Sequence, residues 1–267
     1  MTKGRDVAAV ALAALLALAC LGGNANAAQC GSTSAGFETW KHQFSEEARG
    51  QGVGASAVAA LMQTSYASAT IAADRGQRSF GLSLDQFLAK RGAATIVARG
   101  RGLKQSQAGL FSSIQARYGV PPGPLIAIWG METGFGSQRG NQNMLSSIAT
   151  LAFDCRRSEF FTEQLYAALK LIDRGVLSGS TRGSMHGEVG QTQFMPKNIL
   201  AYGTGNLDVA ANALNSTANF LHAHGWRAGA GYQPGEANFA AIQAWNAAGV
   251  YQQAIAIMGR QIDGDAR

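Results

Sequence analysis

Glu132 is the acidic residue whose surroundings in the sequence best suit acid–base chemistry. It follows an apolar run that includes Trp129 and precedes Gly134, Phe135 and Gly136. A carboxyl group at the end of an apolar helix is partly desolvated, which favours its protonated form and raises its pKa toward the range of a general acid. A helix-terminal glutamate before glycine is also a common surface feature, so this pattern alone does not establish a catalytic role.

A second segment, the loop over residues 183–196, is suited to contact a sugar. It is rich in glycine and ends in Gln193, Phe194, Met195 and Pro196. Glycine lets the backbone approach a ligand closely, and the Gln193 amide can both donate and accept hydrogen bonds. The alternative is a plain surface loop.

A third segment near the C-terminus combines an aromatic ring with polar groups. Trp245 can stack on a pyranose ring, and Asn246 and Tyr251 can form hydrogen bonds with its hydroxyl and acetamido groups. Taken by itself, the same segment is also typical of a packed core.

The elements that must position these side chains are predicted to be helices. Apolar residues such as Phe37, Trp40 and Phe44 recur at spacings of three and four, and period-two alternation is nearly absent. Prolines at 121–124 mark the start of the helix that leads to Glu132. Further helices are predicted over residues 36–49, 55–65, 83–98, 104–118, 157–173, 193–202, 208–224 and 237–259. The predicted fold class is therefore mainly α.

Residues 1–27 have the composition of a secretory signal peptide. Lys3 and Arg5 precede an apolar run, and small residues compatible with cleavage after Ala27 follow it. The run is shorter than the roughly 20 apolar residues that a membrane span requires. Cys20 leaves lipoprotein-type processing as an alternative to ordinary cleavage. The interpretation is export to the periplasm.

Residues 28–267 contain no internal repeat, low-complexity linker or Pro/Ser-rich hinge, which predicts a single domain. Without Lys3, Arg5 and Asp6, the 22 basic and 16 acidic residues become 20 and 15, a net charge of +5. This small positive net charge would favour binding to a negatively charged polymer such as that of a cell wall. The basic residues are scattered, without a Lys/Arg tract or an aromatic platform, which argues against a nucleic-acid-binding protein.

Two cysteines, Cys30 and Cys155, remain after the N-terminal segment. An exported protein in an oxidising compartment tends to pair an even number of cysteines, so we predict a disulfide between them. The chain-entropy model assigns such a long closed loop roughly 4–5 kcal/mol, less any strain. The alternative is two buried free thiols.

Together these segments resemble the lytic murein transglycosylases of the B type, over about residues 36–260. Gly130–Gly136 matches the family's Gly-x-Glu-Thr-x-x-Gly signature, Gln193–Pro196 matches its Gln-Phe-Met-Pro signature, and Trp245 with Asn246 matches its late aromatic-Asn pair. Two further blocks resemble the family in the same order, at 151–154 and 216–226.

The resemblance implies a lysozyme-like transglycosylase core with an additional helical lobe, and two lobes around a glycan cleft. It implies non-hydrolytic cleavage of the β-1,4 bond between N-acetylmuramic acid and N-acetylglucosamine in peptidoglycan, which forms 1,6-anhydromuramoyl ends. Glu132 corresponds to the sole catalytic carboxylate, and no cofactor is expected. The residues expected to contact the glycan strand are Gln193, Trp245, Asn246, Tyr251, Phe194, Met195 and Thr133. The interpretation is a monomer, with association with the membrane or with wall-synthesis proteins left open.

The sequence departs from the family's pattern at Glu188, where many relatives carry a small residue. A second carboxylate about 5–9.5 Å from the acid is what a hydrolase needs, as nucleophile or as base for water. Glu188 therefore keeps a hydrolytic muramidase as an alternative. The preferred interpretation is structural, with Glu188 paired to a neighbouring arginine or lining the groove. A noncatalytic peptidoglycan-binding protein is the alternative from another class.

Other polar residues are given structural roles. Some relatives carry a calcium loop after the Gln-Phe-Met-Pro signature, but the corresponding residues 202–208 contain a single acidic residue, so no metal site is predicted. His186 is isolated in its loop, and His222 and His224 are assigned to packing and capping. Asp154 is predicted to cap the helix that follows it.

Overall fold

The computed structural model describes residues 28–76 and 81–264, which leaves the predicted signal peptide and Cys20 outside the described residues. Within these ranges the chain forms thirteen helices and one two-stranded sheet: α1 (Phe37–Gly50), α2 (Ala55–Met62), α3 (Ser68–Arg75), α4 (Leu84–Arg91), α5 (Ala93–Ser106), α6 (Ala108–Tyr118), α7 (Pro122–Thr133), β1 (Gln142–Asn143), α8 (Met144–Phe153), α9 (Ser158–Asp173), β2 (Arg182–Gly183), α10 (Pro196–Tyr202), α11 (Ala210–Ala223), α12 (Phe239–Trp245) and α13 (Gly249–Asp263). The mainly α fold class is confirmed. Among these helices none is long and apolar enough to cross a membrane.

Helix α7 carries Glu132 near its C-terminal end and lies among α5, α11 and α13. Ten of its twelve residues are buried, and Pro122 occupies its first turn, where the missing amide donor costs nothing. A Cβ added to Gly123 would lie 2.2 Å from the carbonyl oxygen of Gly259 in α13. Glycine at this crossing therefore lets the two helices approach closely, which brings Tyr251 of α13 to Glu132.

Helices α8 and α9 form a second centre of packing, against which α1, α2 and α10 are placed. An aromatic cluster joins α1 to α8, since the ring centroid of Phe153 lies 5.6 Å from that of Phe37 and 5.7 Å from that of Trp40. Both groups of helices contribute to one continuous hydrophobic core. Val189 and Phe194, from the loop over residues 183–196, belong to the same core.

Several predicted helix boundaries are wrong. Gly92, with φ +67°, divides the predicted helix 83–98 into α4 and α5. Asn246 adopts an extended conformation and separates α12 from α13, which replaces the single predicted helix over 237–259. Helices α3 and α8 were not predicted. Nine of the ten α8 residues are buried, and a helix buried on all sides shows no amphipathic period.

The predicted disulfide between Cys30 and Cys155 is present, with its Cα atoms 5.0 Å apart. It ties the N-terminal segment to the end of α8. The predicted capping role of Asp154 is wrong, because α9 has Arg157 at its N-cap position and no side-chain cap there. The buried Asp154 carboxylate instead accepts a hydrogen bond from the Arg75 guanidinium at 2.6 Å, which offsets the cost of burying its charge.

The small sheet anchors the loop that leads to Gln193. β1 pairs antiparallel with β2, and Gln142 lies opposite Gly183. A Cβ added to Gly183 would lie 2.4 Å from the Glu188 carbonyl oxygen, so the loop folds back closely on itself at this glycine. Backbone hydrogen bonds between Val189 and Phe194, 2.9 Å in each direction, close the second half of the loop.

Candidate active site

Glu132 lies in the last turn of α7, which ends at Gly134 in the left-handed conformation. The Tyr251 hydroxyl donates a hydrogen bond to Oε1 of Glu132 at 2.6 Å, and the Trp245 indole N–H donates to the same oxygen at 3.2 Å. The Tyr251 side chain is buried, whereas Glu132 and Trp245 are half-buried. The carboxyl group is thus held by two aromatic donors and remains within reach of a ligand.

Burial raises the pKa of Glu132 from its ordinary value of 4.5 to about 7. The hydrogen bonds from Tyr251 and Trp245 oppose this rise because they stabilise the carboxylate, and the positive charge of Arg91 acts in the same direction. The negative charge of Glu188 raises the pKa further. A carboxyl group that titrates near neutrality can donate a proton in one step and recover it in the next.

Tyr251 remains a hydrogen-bond donor in this environment. Burial, followed by the charge of Glu132, raises the pKa of the Tyr251 hydroxyl well above its ordinary value of 10.0. The phenol therefore stays protonated at neutral pH and can stabilise the Glu132 carboxylate once its proton has left. The Arg91 guanidinium lies 5.8 Å from the centroid of the Tyr251 ring and supplies the positive charge nearby.

Two buried phenylalanine rings pack against Trp245. The Trp245 ring packs edge-on against Phe194 of the loop and Phe220 of α11, with centroids 5.3 and 5.2 Å away. Only 1% of Phe194 is exposed, so its ring fixes Trp245 rather than presenting a surface to a ligand. Met195 is half-buried beside it. Trp245 and Met195 are therefore the members of this group with accessible surface.

Gln193 and Thr133 are both engaged within the protein. The Gln193 backbone has a φ of +54°, and its side-chain amide donates to the Gly190 carbonyl at 2.9 Å. Thr133 is buried, and its hydroxyl donates to the Gln191 carbonyl at 2.6 Å while accepting from the Gly136 amide at 2.8 Å. In this arrangement Thr133 joins the end of α7 to the loop, and Gln193 keeps its amide oxygen for a further partner.

Asn246 is placed beside the site by its backbone. Its side-chain oxygen accepts a hydrogen bond from the Ala248 amide at 2.9 Å, and its carbonyl accepts from the Gln252 side chain at 2.8 Å. These bonds form the turn between α12 and α13, which orients Trp245 and Tyr251 toward Glu132. The Asn246 side-chain N–H₂ group remains as its donor.

Gln191 is a site residue that the sequence analysis did not select. Its Oε1 accepts from the Trp129 indole N–H at 2.8 Å, and its Nε2 donates to the Asp208 carbonyl at 2.8 Å. A Cβ added to Gly136 would lie 2.2 Å from Oε1 of Gln191. The last glycine of the Gly-x-Glu-Thr-x-x-Gly signature is therefore required for this contact.

Ser184 and Glu188 form a hydrogen-bonded pair in the first half of the loop. The Ser184 hydroxyl donates to Oε2 of Glu188 and accepts from the amides of His186 and Glu188, at 3.1 and 3.2 Å. Serine thus takes the place of the arginine that was predicted to pair with Glu188. His186 is not isolated, since its Nε2 lies 3.8 Å from Oδ1 of the buried Asp74.

His222 and His224 have the predicted structural roles. Nδ1 of His222 lies 3.2 Å from the Tyr118 carbonyl oxygen, and the His224 ring stacks on Phe220 with centroids 4.0 Å apart. In the part of the chain that the structure describes, no three His, Cys, Asp or Glu side chains cluster in a way that could hold a metal ion.

Two cavities lie outside the surroundings of Glu132. One of about 860 Å³ lies at the opposite end of α7 and is lined by Lys104, Tyr232 and Asp263 among others. Another of about 560 Å³, lined in part by Arg139 and Asp208, adjoins the Gln193 loop, since the Gln193 amide also donates to the Arg139 carbonyl at 3.3 Å. The acid–base geometry, rather than cavity size, identifies the candidate site.

The sequence matches a family model and a known relative over parts of its length. Residues 36–236 match the family model described as the transglycosylase SLT domain. The membrane-bound lytic murein transglycosylase B of Escherichia coli is 36% identical over 118 residues, which are 41% of this chain and 33% of that relative. The matched region thus spans about a third of that relative's length.

Solved structures extend the similarity over most of the chain. SltB3 from Pseudomonas aeruginosa, in complex with NAG-anhNAM-pentapeptide, superposes with a TM-score of 0.79 and 27% identity over 86% of this chain and 80% of that one. The Escherichia coli lytic transglycosylase SLT35, in complex with bulgecin A, superposes with a TM-score of 0.71 over 89% and 96%, and at 21% identity it shows the shared fold. Since the family model covers well over half of its length, the chain belongs to the transglycosylase SLT domain family.

Proposed function

We propose that this protein cleaves the β-1,4 bond between N-acetylmuramic acid and N-acetylglucosamine in peptidoglycan without water, leaving 1,6-anhydromuramoyl ends. The observation that carries the proposal is the environment of Glu132. Its carboxyl group has a pKa of about 7 and receives two hydrogen bonds on one oxygen. Such a group can act as an acid and then as a base within one turnover.

The reaction uses one carboxyl group twice, first as an acid and then as a base. Protonated Glu132 donates its proton to the glycosidic oxygen as the bond from that oxygen to the anomeric carbon breaks. The carboxylate then removes the proton from the muramoyl C6 hydroxyl while the C6 oxygen bonds to the anomeric carbon and closes the 1,6-anhydro ring. Glu132 ends the cycle protonated, so no water and no cofactor are consumed.

The side chains around Glu132 support both steps. The Tyr251 hydroxyl and the Trp245 indole stabilise the carboxylate formed in the first step, and the Arg91 charge adds to this effect. Trp245, half-buried over the carboxyl group, is suited to stack on a sugar ring. We assign sugar contacts to Trp245, Met195, Gln193 and Asn246. Thr133, Phe194 and Tyr251, which were also predicted to contact the glycan strand, are not assigned such contacts because they are buried.

The substrate class is supported by what the relatives bind. SltB3 from Pseudomonas aeruginosa has been solved with both NAG-NAM-pentapeptide and NAG-anhNAM-pentapeptide. The second ligand contains the anhydro sugar that the proposed reaction would form. We further propose that residues 1–27 export the chain to the periplasm, where it acts as a monomer on glycan strands.

Mass spectrometry of muropeptides tests this function. Purified protein incubated with murein should release fragments that end in 1,6-anhydromuramic acid, and the Glu132→Gln variant should release at least about 100-fold less, as expected for loss of a general acid. Reducing muramic acid ends would instead establish hydrolysis, with Glu188 as the candidate base for water. Equal turnover by the Glu132→Gln variant would exclude Glu132 as the acid, and binding without turnover by the native protein would identify a noncatalytic peptidoglycan-binding protein.

A further inference from the structure

The cavity of about 560 Å³ beside the loop over residues 183–196 has no part in the proposed reaction. It is lined by Arg139, Gly140, Asn141, Arg182 and Asp208. This lining is separate from Tyr251 and Trp245, the two side chains that hold Glu132. It contains two guanidinium groups and one carboxylate, so the cavity has a net positive charge. Such a cavity is suited to bind an anion.

Arg182 carries the positive charge that is not balanced within the cavity. The Arg139 guanidinium donates a hydrogen bond to the Asp208 carboxylate at 3.0 Å, and these two charges largely cancel. Among the ion pairs of residues 28–76 and 81–264, none involves Arg182. The exposed Arg182 guanidinium donates to the Asn141 carbonyl at 3.1 Å. This bond occupies one N–H group of a guanidinium, which has others to offer a ligand.

Close backbone contacts fix the walls of the cavity. Arg182 lies opposite Asn143 in the two-stranded sheet, which places its side chain beside the segment that precedes β1. A Cβ added to Gly140, which has a φ of +81°, would lie 2.2 Å from the Gly183 carbonyl oxygen, so glycine is needed for the two segments to meet. A site whose backbone is already ordered loses less conformational entropy when a ligand binds.

Hydrogen bonds join the cavity to the candidate active site. The Gln193 side chain donates to the Arg139 carbonyl at 3.3 Å, and the Gln191 side chain donates to the Asp208 carbonyl at 2.8 Å. Gln191 also accepts from the indole N–H of Trp129, which lies in the helix that carries the acid. A glycan strand held at the acid would therefore have this cavity beside it.

We propose that the cavity binds a carboxylate of the peptide stem, with Arg182 as its principal cation and Arg139 as a second donor. The proposal rests on the proposed function, since the glycan strand must lie beside the loop over residues 183–196. The N-acetyl sugars of the strand are uncharged where their lactyl groups are joined to stems by amide bonds, so the stems supply the carboxylates. A guanidinium can bind a carboxylate through two parallel N–H donors, which makes the contact specific for this group.

Binding of two matched ligands tests the proposal without catalysis. The ligands are NAG-NAM-pentapeptide and the same molecule with every carboxyl group of its peptide converted to an amide. Both are titrated by calorimetry into the full chain carrying Glu132→Gln, which prevents cleavage. The carboxylate form should bind about three- to tenfold more tightly than the amide form, as expected for an exposed charge-assisted contact. This preference should disappear at about 1 M salt, where charges are screened within a few ångströms.

Three substitutions, each added to Glu132→Gln, locate the contact. Arg182→Gln should abolish the preference by weakening the carboxylate form alone, because the side chain stays polar but loses its charge. Asp208→Asn removes the negative charge of the cavity and should strengthen binding of the carboxylate form, a gain that a folding defect would not produce. Arg174→Gln removes an exposed positive charge at the C-cap of α9, outside the cavity, and should leave the preference unchanged.

The outcomes separate this inference from the proposed function. Equal binding of the two ligands, binding of neither, or a preference that survives Arg182→Gln would overturn the assignment of the cavity. If such a result accompanies release of 1,6-anhydromuramoyl fragments by the native protein, the proposed function stands without it. If the native protein releases no fragments but the preference is present and is lost in Arg182→Gln, the proposed function fails and the cavity remains a binding site for stem carboxylates.

Discussion

Replacement of Glu132 by glutamine should make the protein more stable at neutral and alkaline pH. The pKa of Glu132 is about 7 in the folded protein, above its ordinary value of 4.5. The folded state therefore binds this proton more tightly than the unfolded state does. The stabilisation due to Glu132 is fully present below pH 4.5 and is lost as the pH rises through 7. The amide of the Glu132→Gln variant has nothing to titrate in this range.

The magnitude follows from the difference between the two pKa values. A difference of roughly 2.5 units corresponds to about 3.4 kcal/mol, since one unit is worth 1.36 kcal/mol. The Glu132 side chain is half-buried, and solvent screening lowers this figure to about 2–3 kcal/mol. The amide oxygen of the variant can still accept from Tyr251 and Trp245, so the packing of the site is retained.

Urea denaturation of the native and Glu132→Gln proteins at several values between pH 4 and pH 8.5 measures this effect. The quantity of interest is the free energy of unfolding of the variant minus that of the native protein at each pH. Other titrating groups cancel in this difference, which should rise by about 2–3 kcal/mol across the range. A difference that stays constant with pH would refute the reasoning, because it would mean that burial does not raise the pKa of Glu132.

Two further predictions concern the groups around the acid. Tyr251→Phe removes the hydrogen bond that favours the Glu132 carboxylate, so the pKa of Glu132, measured by ¹³C NMR titration of its carboxyl carbon, should rise. Gly136→Ala should lower the free energy of unfolding by about 2 kcal/mol, because the new methyl group would meet Gln191 at a φ of +84°. Gly109→Ala is the matched control in α6, where a Cβ meets no atom within 4 Å and the helix should gain about 0.5–1 kcal/mol; equal effects of the two substitutions would contradict the proposed contact.

Local sequence was sufficient to predict the buried helix that carries Glu132, but not the catalytic role of that residue. The apolar run before Glu132 and the glycines after it determine a buried helix that ends at a carboxyl group, because these properties depend on neighbouring residues. The even number of cysteines in a chain predicted to be exported was likewise enough to predict the disulfide between Cys30 and Cys155, which the structure contains. The ordered signatures identified the family, and the family match confirms it.

Helix boundaries were less predictable, since they depend on single residues within apolar patterns. The left-handed conformation of Gly92 and the extended conformation of Asn246 each divide a segment whose apolar spacing looks continuous. Helix α8 is buried on all sides and has no polar face. Its sequence therefore shows no amphipathic period from which a helix could be predicted.

The sequence by itself determined that the chain is mainly α, that Glu132 is its candidate acid and that Trp245 and Tyr251 belong to the same site. Only the tertiary structure decided which of these side chains contact one another and how far Glu132 is buried. The close crossing of α7 and α13 at Gly123 brings the Tyr251 hydroxyl to Glu132 across a separation of 119 residues, and the pKa of Glu132 follows from that burial. The physical reason is that desolvation and charge act through space, so they depend on which side chains the packing brings together.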